Sequence, residues 1–143
     1  MKLVYRILAI AAVLNFTSCG EKEPQQNDPV EAPKCVSTNP DDNAIDVPYE
    51  GDVNLVIVYD QNIKCLTANQ AKITIDGDAS IVKVNPYGEK LTVTVNKLAG
   101  ETKYTLTVPD GVVQGFKPNQ AGAAQVKLSF TTKAAPLPPT PDP

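Results

Sequence analysis

The chain has 143 residues, 13 basic and 16 acidic side chains, a net charge of −3, and neither histidine nor tryptophan. A mild acidic excess excludes a nucleic-acid binder or a polybasic membrane-surface protein, and the missing histidine excludes His-based triads and His-ligated metal centres. The length admits one domain of ordinary size with tails and leaves no room for a second sizeable core.

The first element in chain order is an export signal. Lys2 and Arg6 make a positive start, residues 7–14 are an unbroken apolar run too short to span a bilayer, and small residues lead into Phe16-Thr17-Ser18-Cys19-Gly20. This is the form of a bacterial lipoprotein signal, in which the cysteine thiol is alkylated by a diacylglycerol and the chain is cut just before it. The mature chain is then expected to begin at Cys19, anchored to the outer membrane by its acyl chains. A single acyl chain binds only marginally, but two or three, at about 0.8 kcal/mol per buried methylene, anchor stably. The other reading is an ordinary secretory signal with an incidental cysteine. Glu21 and Glu23, just after the anchor, resemble surface-export signals of lipoproteins in some Gram-negative bacteria and point to the cell surface.

Residues 19–34 carry three prolines, many polar groups and one lone valine, Val30. Such a stretch cannot bury enough apolar surface to order itself, so it reads as a disordered tether reaching at most about 50 Å. From residue 35 onward the apolar pattern has period two, with strands expected at 35–38, 53–60, 72–76, 80–85, 90–96, 103–109 and 125–132. Their inward faces alternate, as in Leu91, Val93, Val95, then Tyr104, Leu106, Val108, then Val126, Leu128, Phe130. Turn chemistry separates them at Asn39-Pro40-Asp41-Asp42, Asp76-Gly77, Asn85-Pro86-Tyr87-Gly88, Ala99-Gly100 and Asp110-Gly111. Seven short strands at this spacing predict an all-β fold, an immunoglobulin-like antiparallel β-sandwich over residues 35–133. Residues 134–143 hold five prolines and read as a stiff polyproline linker or tail.

Two further cysteines lie within the domain, Cys35 and Cys65. In an oxidising compartment they either close a disulfide over about 30 residues, worth roughly 3–4 kcal/mol on a chain-entropy argument, or stay free and half-buried.

The stretch Val36-Ser37-Thr38-Asn39-Pro40-Asp41-Asp42-Asn43-Ala44-Ile45-Asp46-Val47-Pro48, with the strand Val53 to Asp60 after it, resembles the opening of bacterial Ig-like domains of the surface-layer type. Leu98-Ala99-Gly100-Glu101-Thr102-Lys103-Tyr104-Thr105-Leu106-Thr107-Val108-Pro109-Asp110-Gly111-Val112-Val113 and the closing Leu128-Ser129-Phe130-Thr131-Thr132 match the same family. The likeness covers about residues 35–133. It departs at Asn43, where the family usually has glycine, and at Phe116-Lys117-Pro118-Asn119, which replaces an Asp/Gly-rich turn. The resemblance implies a non-catalytic module of an exported protein, often placed between a lipid anchor and a glycan-degrading or adhesive domain.

Candidate sites are few. Counting strand directions places loops 61–71, 86–89 and 110–124 at one end of the sandwich, where the tether arrives, and with them Tyr87 and Phe116. Two exposed aromatics there would stack on a sugar or grip a protein partner; otherwise Phe116 folds back under its loop and Tyr87 caps a turn. Asp41, Asp42, Asp46, Glu50 and Asp52 suggest calcium only weakly, since no spaced Asp-x-Asp-x-Asp-Gly loop is present and acids at turns are usually turn-formers. No metal, cofactor or catalytic residue is assigned, and Tyr104 has the spacing of a structural tyrosine corner. The expected function is a stalk or spacer, about 30–40 Å long, presenting a C-terminal partner or domain at the cell surface. The alternatives are a glycan- or protein-binding adhesive module and the N-terminal part of a longer glycan-degrading enzyme.

Overall fold

A computed structural model describes residues 30–142. The elements are β1 (Cys35–Asn39), β2 (Ala44–Val47), β3 (Val53–Tyr59), β4 (Ile63–Lys64), α1 (Thr67–Gln70), β5 (Thr74–Ile75), β6 (Ser80–Tyr87), β7 (Lys90–Asn96), β8 (Lys103–Val108), β9 (Gln114–Gly115) and β10 (Val126–Thr132). The signal segment, Cys19 and most of the expected tether lie outside the described residues.

Two four-stranded sheets face one another, ordered β1-β3-β7-β6 and β2-β10-β8-β5, with β4 and β9 forming a small third pair. That order is the immunoglobulin-like one, and all seven expected strands are present. Every pairing is antiparallel except β2 with β10, which is parallel. The core comes from the alternation read in the sequence: Leu55, Ile57 and Tyr59 from β3 and Leu91, Val93 and Val95 from β7 meet Tyr104, Leu106 and Val108 from β8 and Leu128 and Phe130 from β10. The rings of Tyr104 and Phe130 pack at 5.9 Å between centroids.

The structure differs from the sequence expectations in four places. The 72–76 strand shrinks to two residues because the Ile73 N–H is taken by Gln70 O at the end of α1. The turn expected at 85–88 moves: β6 continues through Pro86 and Tyr87, and the hairpin turns at Gly88 and Glu89. Pro86 is tolerated because β6 is an edge strand, and Gly88 supplies the positive φ of 60° that such a tight turn needs. Third, β2 was not expected. It breaks period two with a register slip opposite β10 and with Asp46 at φ 57°. Finally, residues 30–34 are not all tether-like. Pro33 is buried and Lys34 exchanges backbone and side-chain bonds with Asp60, at 2.9 Å each.

Asn43 resolves the first departure from the family pattern. Its φ of 67° lies in the left-handed region that glycine prefers and asparagine tolerates, so the turn survives the substitution. The Asn43 N–H then reaches Ser129 O, and the Asp42 carboxylate accepts from Ser129 N–H at 2.9 Å, which together lead β2 onto β10.

The chain arrives at one pole, where Cys35 stands opposite Tyr59, and leaves at the other, where Lys133 N–H donates to Val47 O. Tyr104 Oη accepts from Ala99 N–H at 2.8 Å, the bond expected of a tyrosine corner. Buried Thr132 accepts from Thr102 N–H and donates to Ala99 O, closing the exit pole. Gly77 beneath this corner has φ 72°, and a Cβ there would stand 3.0 Å from the Tyr104 ring. Tyr104→Phe is expected to cost about 1 kcal/mol and Thr132→Val, which orphans a carbonyl and an N–H, about 1–3 kcal/mol. Urea unfolding of the two variants measures both, with Thr132→Val the more damaging.

Candidate functional site

The incoming pole is built by three loops that bond to one another. Ile63 of β4 donates its N–H to Gly88 O of the β6–β7 hairpin and pairs on its other side with Gly115 of β9. A continuous row therefore runs from the hairpin through β4 to the loop after β8, as strand direction implied. Tyr87 (82% exposed) and Phe116 (65% exposed) both stand on this pole. Phe116 does not fold back under its loop. The interior of that loop is filled instead by buried Val112, Val113 and Ala123, and Lys64 Nζ lies 5.8 Å from the Phe116 centroid. Tyr87 closes a shallow hollow with Asn62, Gly88, Glu89 and Lys90.

Gln120 locks this pole, a role that no local pattern announces. Its Nε2 donates to Glu31 O at 2.6 Å and to Gln61 Oε1 at 2.7 Å, while its Oε1 accepts from Lys117 N–H. Gln61 Nε2 also donates to Glu31 O. One side chain thus joins the arriving segment to two loops distant in sequence. Leu66, exposed beside α1, adds an apolar group that no sequence pattern singles out.

The acidic residues gather at the exit half of the fold, where Asp41, Asp46, Glu50 and Asp52 line an open groove of 560 Å³. Several carboxylates there are already used: Asp42 holds Ser129 N–H, Asp52 accepts from Asn96 Nδ2, and near the same pole Asp76 accepts from Thr105 N–H at 2.7 Å. Among the described residues no three His, Cys, Asp or Glu side chains are grouped to hold a metal.

Cys35 and Cys65 are two free thiols, the first exposed and the second buried. They flank Tyr59, whose hydroxyl is buried without a hydrogen-bond partner among the described residues. Burial pushes the Tyr59 phenol well above its ordinary range, and the two neighbouring thiols, when ionised, push it further. Burial also raises both thiols, although a hydrogen bond with the Ser37 backbone partly offsets this for Cys35.

A family model described as the bacterial Ig-like domain matches residues 29–132. The chain belongs to the bacterial Ig-like domain family. No curated protein and no solved structure matches it. Domains of this family are generally non-catalytic.

The buried phenol gives this Ig-like domain an alkaline limit. A group whose folded pKa is raised stabilises fully below its unfolded value, and that stability is lost as pH climbs from there towards the folded value. Cys65 begins to act near pH 8.5 and Tyr59 near pH 10, each with a slope of at most about 1.4 kcal/mol per pH unit. These groups are expected to leave stability unchanged between pH 7 and about pH 8 and to lower it above that. Tyr59→Phe, which removes a buried hydroxyl without a partner among the described residues, is expected to leave neutral-pH stability equal or higher by up to about 1 kcal/mol and to flatten the limb above pH 10. Denaturant midpoints across pH 7–11 measure it.

Proposed function

We propose that this Ig-like domain is the spacer of a non-catalytic cell-envelope lipoprotein. Cys19 carries the lipid anchor in the outer membrane, and the module holds a C-terminal partner or domain away from it at the cell surface. The observation that carries this reading is the placement of the two chain ends. The arriving segment is fixed at one pole by Asp60, Gln61 and Gln120, and the departing one at the other by Val47 and Glu101. A module fastened at opposite poles adds its own length to the distance between the anchored side of the chain and the segment beyond Lys133. That segment, residues 134–142, forms no strand or helix and is exposed, which suits a proline-rich stretch leading outward.

The adhesive reading has one specific observation in its favour: Tyr87, Phe116 and Leu66 are exposed on a single pole. Against it, that pole is also where the segment from Cys19 arrives, so an anchored module turns it towards the membrane.

The test expresses the full-length chain with a C-terminal epitope in a Gram-negative host. The epitope is expected to be reachable by antibody on intact cells, and Cys19→Ala is expected to move the protein out of the membrane fraction. The double variant Tyr87→Ala/Phe116→Ala is expected to change neither location nor accessibility. Loss of binding to glycans or to cells in that double variant, with the fold intact, would replace the spacer reading by the adhesive one.

A further inference from the structure

Among the described residues the exposed aromatic side chains are Tyr87 and Phe116, and both stand on the arriving pole, with exposed Leu66 as a third large apolar group. Tyr87 precedes Gly88, whose carbonyl accepts the Ile63 N–H, and Phe116 follows Gly115, the ladder partner of Ile63, so the two flank β4 on either side. The interior of the Phe116 loop is already filled by Val112, Val113 and Ala123, which leaves these side chains in solvent. Lys64 Nζ lies 5.8 Å from the Phe116 centroid, so a cation rides on the ring. Charge divides along the module as well. On this pole Lys34, Lys64, Lys90 and Lys117 offset Glu31, Asp60, Glu89 and Asp110, whereas the exit half sets Asp41, Asp42, Asp46, Glu50 and Asp52 against Lys97, Lys103 and Lys133. One end is therefore apolar and close to neutral, and the other is acidic.

We propose that the arriving pole rests on the lipid surface, with Tyr87, Phe116 and Leu66 set among the headgroups and Lys64 and Lys90 at their phosphates. The proposal rests on the reading of Cys19 as the lipid anchor and adds to it the surface that the anchored pole meets. Glu31 is fixed to this pole by Gln61 and Gln120. Cys19 and Glu31 are 12 residues apart, so the chain can hold the pole no farther than about 40 Å from the lipid. Aromatic rings and lysines with apolar stems are the side chains that a bilayer interface favours. Charge selects the same end, because an anionic leaflet repels the acidic half and tolerates the near-neutral one. Three apolar side chains bind a membrane only weakly by themselves. The acyl chains retain the protein, and the pole sets the direction in which the module stands. Seated in this way, the module points Lys133 and the segment beyond it away from the membrane, and its exposed aromatics have a use that needs no large ligand beneath it.

The test places one tryptophan in a chain that has none. Full-length Phe116→Trp and, as its control, Ile45→Trp on the exit half are expressed in a Gram-negative host and purified with whatever Cys19 carries. Both are reconstituted into vesicles of phosphatidylethanolamine and phosphatidylglycerol, with or without brominated acyl chains. Protein mass reports the acylation of Cys19, and circular dichroism verifies the fold. On vesicles Phe116→Trp is expected to emit at shorter wavelength than Ile45→Trp and to lose much of its emission to brominated lipid, while Ile45→Trp loses none. Adding Leu66→Ala and Tyr87→Ala to Phe116→Trp is expected to weaken both the shift and the quenching with the protein still on the vesicles. Equal emission and equal quenching of the two reporters on acylated protein overturn the proposal and leave the spacer reading intact. An unacylated protein that stays off the vesicles overturns the anchor reading and the seat with it. A short-wavelength Phe116→Trp emission that brominated lipid leaves unquenched also overturns the proposal, because the pole is then covered by a second copy of the chain.

Discussion

Residues 35–47 belong to both sheets. They pair antiparallel with β3 as far as Asn39, cross over, and pair parallel with β10 from Ala44. A sandwich whose first strand remained in one sheet would leave the outer edge of β10 open along its whole length, with unpaired backbone groups inviting another chain. The crossing covers the exit half of that edge, and its cost is local: left-handed residues at Asn43 and Asp46 and a slipped register in each half. Asp42 offsets part of it by accepting the Ser129 N–H. The same crossing carries the chain from one pole towards the other within its first strand. It therefore fixes where the module is held.

Both poles are sealed by side chains that bond backbone groups, most of them far away in sequence. At the exit, Tyr104 and Thr132 satisfy backbone groups of residues 99–102, and Lys133 is clasped between Val47 and Glu101. At the arrival, Gln120 and Gln61 hold the carbonyl of Glu31. Between them lies a core of aliphatic and aromatic side chains, with the Tyr59 hydroxyl at its arriving end unpartnered among the described residues. The exit pole is complete by hydrogen bonding alone.

The long strands were legible because their faces alternate over six or more residues, as in β7, β8 and β10, and because Asn, Asp, Gly and Pro mark their ends. Tyr104 was legible for a different reason: its spacing from Leu98 and Gly100 is local, so the pattern travels with the sequence. What escaped has no such local signature. β4 and β9 are two residues each and exist only because Ile63 meets Gly115 across the pole. β2 carries a left-handed aspartate that destroys its period. Tyr87 resembled a turn residue because Pro86 and Gly88 flank it, yet an edge strand accepts the proline and the turn begins one residue later. Of the arriving pole, strand direction gave the grouping of the loops and the placement of Tyr87 and Phe116 on it, while their exposure is seen only in the structure. Gln120, Lys64 and Leu66 stayed hidden, since each matters only through partners far away in the chain.

The central claim is that a rigid module separates the points at which the chain arrives and departs. The most direct measurement is the distance between spectroscopic labels at residues 34 and 133 of the full-length chain, introduced as unnatural amino acids so that the cysteines are untouched. With strands rising about 3.3 Å per residue, a single narrow distribution near 30 Å is predicted. A broad distribution, or one centred below about 15 Å, would contradict it, because the two ends would then be mobile or would leave from the same pole.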